Sequence, residues 1–145
     1  MKQIDTLMGR DEVLLAARIL IALLFLIFGW QKLTGFSGTV QYMVHVGAPI
    51  PVLATIVAIA MEFFVGIAIT AGAFTRPLAL LLALYTLGTA FIAHHYWTMT
   101  GMAHFENEIN FYKNISIIGG LLVLYVAGAG RYSIDVWWRN LRDRT

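Results

Sequence analysis

Read for apolar runs, the chain divides into four stretches long enough to cross a bilayer core, which takes around 20 helical residues. They run over about residues 13–33, 52–74, 77–97 and 110–129. The second follows "APIP", where Pro51 can serve as the first helical residue. Only "TR" parts it from the third, so the two are expected to form an antiparallel hairpin. The fourth is less uniform. Its clean apolar part, residues 115–129, is too short to span, so it must take in "NFYKN" and bring Asn110, Lys113 and Asn114 to the hydrocarbon edge.

Two shorter patterns are amphipathic. In "SIDVWWRNL", Ser133 can cap a helix whose apolar residues Ile134, Trp137, Trp138 and Leu141 recur at i, i+3, i+4 and i+7. Arg139 and Arg142 fall off that stripe, which predicts an interfacial helix over about residues 133–142 lying on the inner leaflet. "TVQYMVHV", between Gly38 and Gly47, predicts a short helix on the outer face. The fold class is therefore all-α: an integral membrane four-helix antiparallel bundle in a single domain over residues 1–145, with short amphipathic interfacial helices.

The polar residues inside the spans carry the interest. In "VAIAMEFFVGIA", Glu62 stands alone in lipid-compatible surroundings, and a mid-membrane carboxylate costs about 2.5–3.5 kcal/mol even on lenient insertion scales. Ala54, Ala58, Glu62 and Gly66 fall four residues apart, so Glu62 shares a stripe of small residues with Phe63 and Phe64 turned away. Such a stripe is a packing face, which directs the carboxylate toward protein. Similar faces are expected to hold Arg18, Ala22, Gly29 and Lys32 on the first span, and Ala79, Ala83, Thr86, Ala90 and His94 on the third. On the fourth, the expected face is Lys113, Ser116, Gly120 and Ala127. Lys32, His94, His95 and Lys113 fall near the outer ends of their helices, with Glu62 roughly 15 Å deeper at 1.5 Å per residue. This predicts an outward-opening polar funnel with Glu62 at its floor and Arg18 apart, nearer the other face. Two readings stay open: a ligand site, or an ion network of Glu62, Lys32 and Lys113 that only locks the helices together.

Composition agrees with a membrane protein. Of 145 residues, 59% are hydrophobic and 12% charged, and the mean hydropathy is +0.75, where soluble domains carry about 25% charged residues. The net charge of +2 gives no reason to expect nucleic-acid binding. The absence of cysteine excludes disulfides and cysteine-ligated clusters within the chain. The first apolar run follows Asp5, Asp11 and Glu12 and contains Arg18, so it reads as a retained span rather than a signal peptide.

Charge also orients the spans. Lys2, Arg10, Arg76, Arg131, Arg139, Arg142 and Arg144 lie in the N-terminal segment, the middle connection and the tail, whereas the connections at 34–51 and 98–108 have no lysine or arginine. Both termini are accordingly expected on the cytoplasmic side. Trp30 and Trp97 then fall at the outer interface and Trp137 and Trp138 at the inner one.

"AHHYW" raises the question of a metal or haem. Adjacent helical residues diverge by about 100°, so His94 and His95 do not both point inward, and His45 and His104 read as loop residues. No metal site is expected, and His104, Glu106 and Glu108 read as a solvated rim. The chain contains no P-loop, dinucleotide fingerprint or Ser–His–Asp arrangement.

Several segments together carry a family resemblance. "ARILIALLFLIFGWQKLTGFSGTVQYMVHVGAPIP", "MEFFVGIAITAGAFTRPLAL" and "INFYKNISIIGGLLVL" resemble the DoxX family of small bacterial membrane proteins. "FTRPLA", "LYTLGTAFIAHHYWTMTG" and "NFYKNISI" are closer still to its YphA-like inner-membrane branch. The resemblance implies a four-helix inner-membrane bundle and makes Arg18, Lys32, Glu62, Arg76, Lys113 and Asn114 the family-pattern positions. It also implies an association with quinone-linked respiration.

The expected function is thus a quinone- or other lipid-soluble-redox-associated accessory subunit without independent catalysis, any redox centre coming from a partner subunit. Lys32, Lys113, Asn114 and His94 would offer hydrogen-bond donors to a quinone carbonyl, with Glu62 handling protons. The alternatives are a proton-coupled small-solute transporter or channel and a purely structural membrane scaffold. Membrane lipid and a second copy of the chain complete the expected partners.

Overall fold

The computed structural model describes residues 9–144. Lys2 and Asp5, used in the charge reading, lie outside them. Six helices follow in order: α1 (Arg10–Thr34), α2 (Phe36–His45), α3 (Pro51–Ala71), α4 (Thr75–Ala93), α5 (Gly101–Ala127) and α6 (Ile134–Arg142). Helices α1, α3, α4 and α5 are long and apolar enough to cross a membrane, and they pack as a four-helix bundle. The end holding the start of α1 and all of α6 is called here the terminal end; α2 lies at the opposite end.

The helix limits follow from local chemistry. Pro51 opens α3, since its missing N–H costs nothing in a first turn. The helix stops at Ala71, three residues short of the expected limit, because Gly72 takes the left-handed conformation at φ 72° and closes it. The turn between α3 and α4 is therefore residues 72–74, and Thr75 and Arg76 already belong to α4. The sequence pattern carried α4 through Trp97. It ends instead at Ala93, where His94 leaves helical geometry, and a single 3-10 turn follows at Tyr96–Thr98.

Helix α5 differs most from expectation. It begins at Gly101, nine residues before the predicted start, so His104, Glu106 and Glu108 are helical rather than loop residues. Hydropathy marks where a helix meets lipid, whereas backbone hydrogen bonding continues past that point into polar sequence. Its buried face also differs: Asn114, Leu121 and Leu124 are buried, while Lys113, Ser116 and Gly120 are exposed.

The main apolar cluster of the core lies in one half of the bundle. Ala22 and Phe25 of α1, Ile69 of α3, Ala79 and Leu82 of α4, and Leu121 and Leu124 of α5 form its centre. Alanine and glycine on α1, α3 and α4 let the backbones approach closely there. Gly66 meets Leu26 and Phe25, and a methyl group at Gly29 would lie 2.6 Å from the backbone nitrogen of Phe63.

That contact falls on an irregularity. Residues Ala60–Phe64 form a π turn inside α3, a locally under-wound, wider turn of a kind that often marks functional positions. Glu62 sits at its centre, 8% exposed. Helical spacing placed Glu62 inward, and it is inward, but on a turn that no apolar periodicity announces.

Candidate functional site

Above the core the helices separate around a cavity of about 890 Å³. Its walls include Leu24, Phe28, Leu53, Val57 and Ile92, with Tyr42 and Met43 of α2 laid across the end. Gln31, Tyr42 and Lys113 line it and are also exposed, so the cavity reaches the surface at the α2 end.

Glu62 forms the polar floor. Lys32 Nζ donates to its Oε2 at 2.7 Å, and the Tyr85 hydroxyl donates to its Oε1 at 2.6 Å. Three helices, α1, α3 and α4, thus meet at one carboxylate, with both oxygens engaged. The lysine, 21% exposed along its side chain, also lies 5.6 Å from the centre of the Phe28 ring. Tyr42 is near enough for the Glu62 charge to act on it: burial first, and that charge second, push its phenol above the usual range.

Tyr85 is the residue that sequence reasoning missed. A tyrosine within "LALYTLGTAF" reads as one more lipid-compatible aromatic. The available signal was that Tyr85, Thr86 and Thr89 form a polar patch on an otherwise apolar helix.

The other candidates are distributed more widely than a single funnel. Lys113 does not reach Glu62 and donates to Asn110 Oδ1 at 2.7 Å on its own helix. Asn114 is buried and donates to Thr89 Oγ1 at 3.4 Å. His94 lies at the rim with Nδ1 3.0 Å from Asn107 Oδ1. Because the Asn107 amide nitrogen donates to the Ala103 carbonyl, its oxygen is the acceptor and the His94 ring is the donor. His95 turns back to the Ile92 carbonyl, and His104 ring nitrogen faces the carbonyls of Tyr96 and Met99. Among the described residues, no three histidine, aspartate or glutamate side chains converge as a metal site would need.

Arg18 belongs to a different structure at the terminal end. Only 1% exposed, its guanidinium donates to the carbonyls of Ala129, Thr70 (3.2 Å) and Tyr132 (2.7 Å). It therefore ties the end of α3 to the segment between α5 and α6, well away from the cavity. Arg76 acts nearby, donating to the Val126 carbonyl at 3.3 Å in the last turn of α5.

Helix α6 is fastened to the same end. Ser133 accepts from the Val136 N–H, as a capping serine should. Asp135 reaches across to the start of α4, accepting from the N–H groups of Phe74 at 2.7 Å and Thr75 at 3.0 Å. It thereby supports Phe74 in a left-handed conformation, φ 48°, that a residue with a Cβ rarely adopts. Trp138 packs edge-on against Phe74 at 5.4 Å between ring centres, and Trp137 is exposed.

Comparison with known proteins places the chain. It is 55% identical over 127 residues to the inner membrane protein YphA of Escherichia coli (strain K12), covering 88% of this chain and 91% of that one. It is 44% identical over 125 residues to the inner membrane protein YqjF of the same organism, covering 86% and 91%. No solved structure matches it. The DoxX family pattern matches residues 13–95, which take in most of α1 and all of α2, α3 and α4 with the whole Lys32–Glu62–Tyr85 floor. The chain is a member of the DoxX family.

Proposed function

We propose that this inner-membrane protein is an accessory subunit that holds the ring of a quinone, or a similar lipid-soluble redox molecule, in the cavity above Glu62. The observation that carries the reading is the pairing of apolar walls with one hydrogen-bonded polar floor in a cavity of about 890 Å³. Ligand pockets of roughly 300–1,000 Å³ are lined in this way, with a few polar groups fixing orientation. A ring carbonyl would take its hydrogen bond from Lys32, and the carboxylate between Lys32 and Tyr85 is placed to exchange a proton when that carbonyl is reduced. Electrons would come from a partner subunit. The distribution of arginine supports an orientation with both termini cytoplasmic, which sets the cavity mouth on the outer side.

The packing beneath Glu62 favours binding over permeation. Phe25, Ile69, Leu82, Leu121 and Leu124 fill the bundle below the floor, and Arg18 ties its terminal end.

The test is quantitative extraction of quinone from the purified protein in a mild detergent, wild type beside Glu62→Gln. Near-stoichiometric quinone that falls in the variant is the expected result. Background quinone in both, with the helical content intact, would set the reading aside.

A further inference from the structure

The hydrogen-bonding inventory of the cavity is lopsided. Lys32 has three N–H donors and spends one on Glu62. Lys113 spends one on Asn110, and by accepting it the Asn110 oxygen leaves that side chain as a donor. The Tyr42 hydroxyl, in the lining of the cavity, is a further donor.

The acceptors are weaker or already engaged. Each Glu62 oxygen takes a donor from within the protein. What remains is neutral: the second ring nitrogen of His94, the amide oxygens of Asn114 and Gln31, and the hydroxyl oxygens of the lining threonines and Tyr42. Among the described lining residues, Glu62 is the single acid against the two lysines, so the wall carries an excess positive charge.

We infer that the cavity takes amphiphiles whose head accepts hydrogen bonds, anionic heads above neutral and neutral above cationic, and that Lys32 is the residue that contacts the head. This rests on reading the cavity as a ligand site. A quinone carbonyl is one head of this class, and an alkyl carboxylate, sulfonate or phosphate belongs to it equally. The selection comes from the floor. A cationic head would have to displace Lys32 from Glu62 or sit beside it unpaired, and like charges in poorly solvated surroundings repel. An anionic head instead completes the valence of a lysine whose position Glu62 and, through it, Tyr85 already fix.

The experiment uses the full-length protein in phosphatidylcholine nanodiscs, with empty discs as background. The probes are dodecylsulfonate and dodecyltrimethylammonium, which share one chain length and carry permanent, opposite charges. The wild type is expected to bind the sulfonate about tenfold or more tighter than the ammonium, the scale of one charge-assisted contact. Lys32→Met should abolish that preference and Lys32→Arg should keep it. Ala54→Trp, which fills the cavity from α3, should remove binding of both probes.

Equal or tighter binding of the ammonium by the wild type overturns the inference. So does a preference unchanged in Lys32→Met, sulfonate binding that survives Ala54→Trp, or neither probe binding above empty discs. If Lys32→Met does not fold, the wild-type preference and Ala54→Trp decide the matter. A protein that extracts without quinone yet shows the Lys32-dependent preference loses the quinone reading alone. One that carries quinone yet prefers the ammonium loses this inference alone.

Discussion

Helix α1 carries two inward cations, Arg18 and Lys32, and the two ends of the bundle use them in opposite ways. Arg18 is sealed in and gives its terminal nitrogens to three main-chain carbonyls, leaving only its Nε buried without a partner and no open space beside it. Lys32 spends one donor on a side chain and keeps the rest beside open space. The difference follows from shape as much as from chemistry. A planar guanidinium with five donors can reach several fixed carbonyls at once, whereas an ammonium on a flexible stem is a point charge that tolerates a change of partner. Full burial against fixed carbonyls makes a structural element; partial burial with spare donors facing open space makes a site.

This contrast can be broken most easily at Arg18. Arg18→Met would strand the carbonyls of Thr70, Ala129 and Tyr132 and is expected to cost about 3–5 kcal/mol, since each buried acceptor left unpaired costs about 1–3 kcal/mol. Thermal unfolding in detergent should show a large loss of stability or no folded protein at all. If Arg18→Met melts like the wild type, the terminal end is not the fastened half.

Gly29→Ala tests the boundary between the halves, since the added methyl would press on the backbone of the π turn. An overpacking cost of about 2 kcal/mol is expected. Gly38→Ala is its control: nothing lies within 4 Å of a methyl there, so its melting temperature should stay near wild type or rise slightly.

Asp135→Ala removes both acceptors at the start of α4 and should cost about 1–2 kcal/mol, as lost caps do. Hydrogen exchange should rise at Phe74 and Thr75 while the cavity helices keep their protection. Exchange that rises equally around Glu62 would mean that the ends are coupled and the division into halves is wrong.

The smallest expected change in stability is at the cavity. Lys32→Met should cost about 1 kcal/mol, because the lysine opens onto the cavity and Tyr85 still donates to the buried carboxylate. The same variant is the one expected to change ligand preference most. A stability loss matching that of Arg18→Met would make Lys32 and Glu62 a structural lock after all.

How far the sequence led depended on which interaction was being read. The spans and the inward direction of Glu62 follow from hydropathy and from spacing of small residues, both of which are local. The extension of α5 back to Gly101 was hidden because His104, Glu106, Asn107 and Glu108 are polar, and polarity does not stop a helix. The face of α5 was misjudged for a related reason. Ser116 and Gly120 look like packing residues, yet Asn114, Leu121 and Leu124 are the ones turned inward.

At the site, Lys32 and Glu62 were legible as unusual charges, and their pairing was one expected outcome. Lys113 was expected in the same network and pairs instead with Asn110 along its own helix. Tyr85 gave no charge to notice. The partners of Arg18 were invisible for a deeper reason: they are carbonyls, which every residue has, so no side chain betrays them.

The Arg18 contacts also impose an order in time. Two of its acceptors, on Ala129 and Tyr132, lie 111 and 114 residues further along the chain. While a ribosome is still making the first three spans, this guanidinium enters the bilayer with Thr70 as the nearest of its final acceptors in sequence. A newborn α1 therefore lacks two of the three carbonyls that Arg18 ends up with until residues 129 and 132 have been made. The final packing of α1 is thus completed only once the segment after α5 is in place, and a chain stalled before residue 129 would leave Arg18 with the Thr70 carbonyl alone among its final acceptors.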